Sequence, residues 1–219
     1  MTAVAAKPTS RADTVQKVRA ACGVTAWLVE DYAVPLVAMD FAFRGGASQD
    51  PDGKPGLATM LAGLLDEGAG SLESEAFHRA MDDKAIEISF HAERDVFGGR
   101  MQTLSRNIDR AFELLALAVT QARLDAEPIE RVRGQLAASL KREINDPDTQ
   151  SGQLWRRFAF PDHAYSRPVN GDLASLPGLT RDDLVGLRAR LLARDNLVPS
   201  KVQPLDHVVV PVGDKNRIG

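Results

Sequence analysis

Thr59, Ala62 and Gly63 stand at i, i+3 and i+4 within Gly56 to Gly70, a segment whose apolar residues follow a helical period. Residues so spaced share one helix face, an arrangement that can aim two ligands and a base at one metal ion. A threonine hydroxyl, a methyl group and a hydrogen atom supply neither a competent ligand set nor a base. The other candidates for metal or proton chemistry are His78, His91, His163 and His207, with no His-x-x-x-His or His-x-His spacing among them. They are expected to be solvated or locally hydrogen-bonded. Asp66-Glu67-Gly68 reads as a solvated helix end with Gly68 as its left-handed cap. No Gly-x-Ser-x-Gly, phosphate loop or dinucleotide fingerprint occurs. Gly45-Gly46 and Gly98-Gly99 are expected as bulges or turns, and Arg142, Arg156 and Arg157 as a solvated, modestly positive helix face.

The elements that must hold these residues are legible from periodicity. Leu57, Met60, Leu61, Leu64 and Leu65 form one apolar stripe and predict the first helix. Runs 24–31 and 35–44 predict two neighbouring antiparallel strands joined near Tyr32 to Pro35, and 86–92 and 96–104 predict two more around Glu93-Arg94-Asp95. Further helices are expected at 74–84, 107–121 and 127–144, then, after a turn at Asn145 to Asp148, through Trp155 to Phe158, and at 181–193, the last capped by Thr180. Residues 1–20 read as a flexible tail or weak first strand, 21–197 as the folded domain, and 198–219 as an irregular tail with Val208 to Val210 its one strand-like run. In 219 residues, 44% hydrophobic and 26% charged, there is enough chain for one sizeable core. A net charge of −3 with dispersed Lys and Arg gives no nucleic-acid footprint. The single cysteine, Cys22, excludes an intrachain disulfide and a Cys-based metal site. No apolar run approaches the roughly 18 residues that would span a bilayer. The N-terminus lacks a secretory apolar stretch, so the chain as written is expected to be cytoplasmic, or periplasmic if its true start is missing.

The run from Phe41 through Arg44-Gly45-Gly46-Ala47-Ser48 and Asp50-Pro51-Asp52 into Gly56-Leu57-Ala58 resembles the opening of the insulinase/pitrilysin zinc metallopeptidases, whose helix carries His-x-x-Glu-His. The same family order continues in Glu130-Arg131-Val132-Arg133, Phe160 to Tyr165, Arg167-Pro168-Val169-Asn170-Gly171 and Ala193-Arg194-Asp195-Asn196-Leu197. The resemblance covers about 24–197. It implies that Thr59, Ala62 and Gly63 occupy the positions of the first His, the Glu and the second His, and that the third ligand's position falls at or next to Ser139. Glu143, one turn downstream, reads as a surface charge. Zinc needs three donors, an open position and a carboxylate to take a proton from its water. No metal or other cofactor is therefore expected here, although zinc is usual in the family.

The family also pairs extended peptides with a strand whose counterpart here is Ser89-Phe90-His91-Ala92. Strand addition needs chiefly backbone N–H and C=O groups, so peptide binding can survive the loss of side-chain chemistry. The resemblance implies an α+β fold: an antiparallel sheet with helices mainly on one face, half of an insulinase or mitochondrial-processing-peptidase clam shell, as a single truncated domain. The expected function is that of a non-catalytic peptidase-like subunit, inactive on its own, that pairs with a zinc-containing homologue and binds or encloses an extended peptide. Nucleic acid and membrane are not expected partners. The alternative is a component of an active zinc metalloendopeptidase complex whose partner carries out proteolysis. The second family domain is expected to be missing through truncation or a shifted frame.

Overall fold

The computed structural model describes residues 15–21, 23–31 and 34–198. Cys22, the Tyr32 to Ala33 connection, His207, the Val208 to Val210 run and most of the two expected tails lie outside these residues. Within the described part of the 1–20 segment, Gln16–Arg19 forms β1 and pairs antiparallel with β2, Thr25–Leu28. The strand β3, Leu36–Arg44, belongs instead to a separate four-stranded sheet. The expectation that runs 24–31 and 35–44 would be neighbours is thus corrected. Alternating apolar residues mark a strand without naming its partner, and β3 takes β5 on one side and β6, Leu197–Val198, on the other.

The main sheet is antiparallel, in the order β4-β5-β3-β6, with β4 at Glu87–Ala92 and β5 at Val96–Leu104. Its side chains alternate in the way expected of a half-buried sheet. Phe43, Ile88, Phe97 and Met101 are buried, whereas Asp40, Arg100, Ser89 and His91 are exposed. Helices cover the apolar side: α1 (Leu57–Ala62) and α2 (Ser74–Asp82) lie against β4, and α3 (Ile108–Gln121) against β5. The long α4 (Ala126–Glu143) and the final α6 (Arg181–Leu191) pack on α1. One core cluster gathers Leu57, Met60, Leu61, Leu64 and Leu65 with residues of α4 and α6; a second gathers Phe77, Ile88, Met101 and Leu114. Phe41 and Phe90 pack against both clusters. No helix among the described residues is long and apolar enough to cross a membrane.

Two details differ from expectation for identifiable reasons. Gly98 and Gly99 are neither bulge nor turn, because both keep register in β5, opposite Ala42 and His91 and opposite Phe41 and Phe90. A Cβ on Gly99 would lie 2.3 Å from the Phe41 ring, and one on Gly98 would lie 2.4 Å from the His91 ring. Each glycine lets a cross-strand ring fold over its backbone. Helix α5 runs from Pro147 to Ala159, beginning inside the turn expected at 145–148, with Asp146 as its N-cap, accepting from the Thr149 N–H. Because α5 has no buried residue, it leaves no core-facing stripe in the sequence to read.

Candidate functional site

The chain reaches α1 by a path tied to the β4–β5 hairpin. After β3, the N–H groups of Gly45, Ala47 and Ser48 donate to the carbonyls of Asp95, Glu93 and Arg94. Gly46 must be glycine here, because a Cβ would stand 2.3 Å from the Glu93 carbonyl oxygen. Asp50 then turns inward. It is 3% exposed and accepts from the N–H groups of Gly56 and Ala58 at 2.8 and 2.9 Å, satisfying donors at the start of α1 that have no partner within the helix. Burial pushes its carboxyl up to about 6, against the opposing pull of those N–H groups and of Arg167.

Helix α1 is shorter than the apolar stripe, since α-geometry ends at Ala62 and Gly63 caps it, although Leu64 and Leu65 remain fully buried. Thr59 is half-buried, and its hydroxyl donates to the Val169 carbonyl at 2.9 Å. Ala62 is 5% exposed within the core. At Gly63 a Cβ would meet Val132 Cγ1 of α4 at 3.1 Å, so a larger side chain there would press on α4. Ser139 lies 3.5 Å from Glu143, whose Oε1 also accepts from Asn170 Nδ2 at 3.0 Å. Glu143 is therefore an anchor for the 168–171 loop, and its reading as a surface charge is corrected. This donor set does not fit zinc: a hydroxyl committed to a carbonyl, a methyl group, a glycine and a serine offer no three-ligand shell and no base. Among the described residues no three His, Cys, Asp or Glu side chains converge to hold a metal ion.

The motifs that are scattered in the sequence meet around this helix. Gly56 and Gly171 both have left-handed backbones and sit back to back; a Cβ on Gly171 would fall 2.5 Å from the Pro55 carbonyl oxygen. Arg167 donates to Asp52 at 2.7 Å and to the Ser48 carbonyl, and Arg94 donates to the carbonyls of Tyr165 and Arg167. Lys54 pairs with Asp183, which belongs to the Thr180 capping box of α6. In the Glu130-Arg131-Val132-Arg133 motif, Arg133 donates to the carbonyls of Leu176 and Leu179. Arg131 grips Glu67 with two bonds of 3.0 and 2.5 Å, and Ser74 adds a third of 2.5 Å. Glu67 is 8% exposed, so the expected solvated Asp66-Glu67 helix end is corrected. Its partner lies 64 residues away, beyond the reach of local pattern. Burial acts to raise Glu67, but Arg131 and Ser74 outweigh it and hold the carboxyl below its ordinary value; burial raises Asp66. Every one of these contacts fixes the helix and its flanking loops. None presents a nucleophile or a general base.

Beside α1 lies β4, at the edge of the sheet among the described residues. The Glu93 N–H donates to the Val96 carbonyl, which makes that pair a hydrogen-bonded one. By the alternation of antiparallel ladders, Glu87, Ser89 and His91 bond inward to β5, while the N–H and C=O groups of Ile88, Phe90 and Ala92 point outward along the free edge. Of the four residues expected to meet peptide, Ser89 and His91 are exposed on the polar face, and Phe90 and Ala92 are half-buried towards α1 and the core. The three histidines among the described residues do not assemble: His78 is half-buried on α2, His91 stands on β4, and exposed His163 accepts from the Tyr165 N–H through Nδ1.

Comparison with known proteins gives no matching family model. Sequence relatives include the non-peptidase homolog YmxG of Helicobacter pylori, 24% identical over 169 residues, or 77% of this chain and 39% of that protein. An uncharacterized zinc protease of Mycobacterium leprae is 22% identical over 152 residues, or 69% of this chain and 34% of its own length. The chain thus spans little more than a third of these relatives. A peptidase M16 inactive domain from Pseudomonas fluorescens superposes with a TM-score of 0.77 at 23% identity, over 84% of this chain and 45% of that one. Pitrilysin superposes with a TM-score of 0.72 at 19% identity, over 84% of this chain and 20% of its own.

Proposed function

We propose that this chain, an insulinase/pitrilysin-family member without the zinc-peptidase residues, is a non-catalytic subunit that pairs with a zinc-bearing homologue and holds an extended peptide along β4. The observation that carries the peptide half of this reading is the edge of β4. Three residues, Ile88, Phe90 and Ala92, offer an alternating row of outward N–H and C=O groups next to the helix that lacks the zinc-binding side chains. An added strand would gain about 0.5–1.5 kcal/mol per backbone hydrogen bond. The pairing half draws on the similarity to the inactive M16 domain and the non-peptidase homolog, in both of which the name records the family fold apart from its chemistry.

Ala92→Pro tests the peptide half. Proline removes an outward N–H without touching the ladder to β5, a position edge strands tolerate. Fluorescence anisotropy of a labelled, unstructured peptide should show affinity falling by about tenfold or more, which is about 1.4 kcal/mol, while the thermal transition stays sharp. Unchanged affinity in a folded Ala92→Pro chain would remove β4 as the binding edge. The pairing half is tested with the purified zinc-bearing homologue. Cleavage by the mixture but by neither chain alone supports pairing, and in that form the chain is a component of an active peptidase complex. A homologue that works equally well alone counts against it.

A further inference from the structure

We infer that a small pocket between the end of β3 and the end of α6 binds the phosphate group of a compact anionic ligand. The pocket has a volume of about 150 Å³ and is lined by Arg44, Gly45, Gln49, Arg190, Leu191 and Asn196. At roughly 30 Å³ for each liquid water it has room for about five, well short of the roughly 300–1,000 Å³ of pockets that take drug-sized ligands. A single oxyanion group fits that space. Its walls are fixed by the fold. Leu191 is 2% exposed, and Asn196 Nδ2 donates to the carbonyls of Arg190 and Leu191 at 2.7 and 3.2 Å, tying the 194–196 turn to the end of α6. Gly45 keeps the space open, because a Cβ there would stand 2.8 Å from both Gln49 Cγ and Leu191 Cδ1, two of the other lining residues.

The lining sets the charge of the ligand. It contains two arginines and no Asp or Glu. Arg44 and Arg190 are exposed, and neither guanidinium group has an ion pair or hydrogen bond among the described residues. The other arginines of α6 are committed, Arg181 to the carbonyls of Leu124 and Arg123 and Arg188 to that of Ala122. Acids close in sequence are engaged or placed outside the lining: Asp50 accepts from Gly56 and Ala58, Asp95 accepts from the Tyr165 hydroxyl, and Asp195 is not a lining residue. The carbonyls at the negative end of the α6 dipole are covered by the Asn196 amide, so an anion does not meet bare oxygen there. Guanidinium groups match oxyanions with planar forks of N–H donors. A phosphate monoester carries about −1.5 to −2 charges at neutral pH, which two unpaired arginines balance, whereas one carboxylate leaves a guanidinium group unanswered. The pocket stands on the β3–β6 side of the sheet, across β5 from β4, so its occupancy is separate from that of a peptide held on β4.

Titration of the full chain at constant ionic strength, followed by NMR, tests this. Inorganic phosphate and phenyl phosphate should each give saturable shifts of the Gly45 amide and of the Arg44 and Arg190 Nε–H signals. Tighter binding of phenyl phosphate assigns the pocket to a phosphate ester, and tighter binding of inorganic phosphate assigns it to the free ion. Arg44→Gln/Arg190→Gln should weaken both by about tenfold or more. Arg142→Gln/Arg157→Gln removes the same charge from two exposed positions outside the pocket and should change the affinity by less than about twofold. Because all four positions are exposed, both double variants should melt with the parent chain. Absence of a saturable shift, an equal loss in the two double variants, or acetate binding as tightly as phosphate would each overturn the inference.

Discussion

Replacing Arg131 by methionine removes the guanidinium that grips Glu67 and keeps most of the apolar stem. Taking one partner from a fully buried ion pair costs about 3–5 kcal/mol, because the other charge is left desolvated. Here the side chain of Glu67 is 10% exposed but that of Arg131 is 37% exposed, so water reaches one side of the pair. Ser74 also remains to donate to Glu67. We therefore expect a loss of about 2–3 kcal/mol at neutral pH, intermediate between a buried and a surface pair. Chemical denaturation of the parent, Arg131→Met, Glu67→Gln and the double variant would give the coupling, expected at about 1–2 kcal/mol. The pH dependence has a definite sign. A carboxyl held below its ordinary value of 4.5 lends stability above that value, and the contribution is lost as pH falls through the folded value. The gap between parent and Arg131→Met should close in acid, as Glu67 takes up a proton. A loss under about 0.5 kcal/mol, the range of ordinary surface substitutions, or a gap independent of pH, would refute a structural role for this pair.

Asp50 should show the opposite slope. Its carboxyl is raised from 3.8 to about 6, so its contribution is present below the lower value and lost as pH rises through the upper one, a change of about 3 kcal/mol. Asp50→Asn should abolish this part of the pH dependence in a stability titration; parallel curves for parent and variant would contradict it. Gly99→Ala drives a methyl into Phe41, which is boxed edge-on by Phe43 and Phe90, and should cost about 1–3 kcal/mol in urea unfolding. The nearest atoms Gly98→Ala meets belong to exposed His91, whose ring can swing away, and it should cost clearly less; equal costs would contradict the packing account. Thr59→Val removes the hydroxyl that donates to Val169 while keeping the volume, and should cost about 1 kcal/mol in the same assay without altering peptide affinity.

Periodicity located the strands β4 and β5 and the helices α2, α3, α4 and α6 to within a few residues, because each has a core-facing stripe or alternation. It could not choose partners. The pairing of β2 with β1 depends on contacts that a period of two leaves unspecified. Helix α5 was only partly legible because it buries nothing. At the site, the sequence already showed in Thr59, Ala62 and Gly63 a residue set that does not fit a zinc shell, whereas Glu67 and Glu143 read there as surface acids. Their partners, Arg131 and Asn170, are 64 and 27 residues distant, and only the fold brings them within hydrogen-bonding reach. Gly98 and Gly99 carried a usable signal that local reading missed: each stands opposite a ring, His91 or Phe41, on an adjoining strand.

The account turns on the proposal that α1 serves in packing and binds no zinc. Zinc content measured by mass spectrometry on the purified chain, together with peptide cleavage by that same preparation, tests it most directly. The expected result is no stoichiometric zinc and no cleavage, unchanged in Thr59→Ala. One zinc per chain, lost together with cleavage in Thr59→Ala, would contradict it.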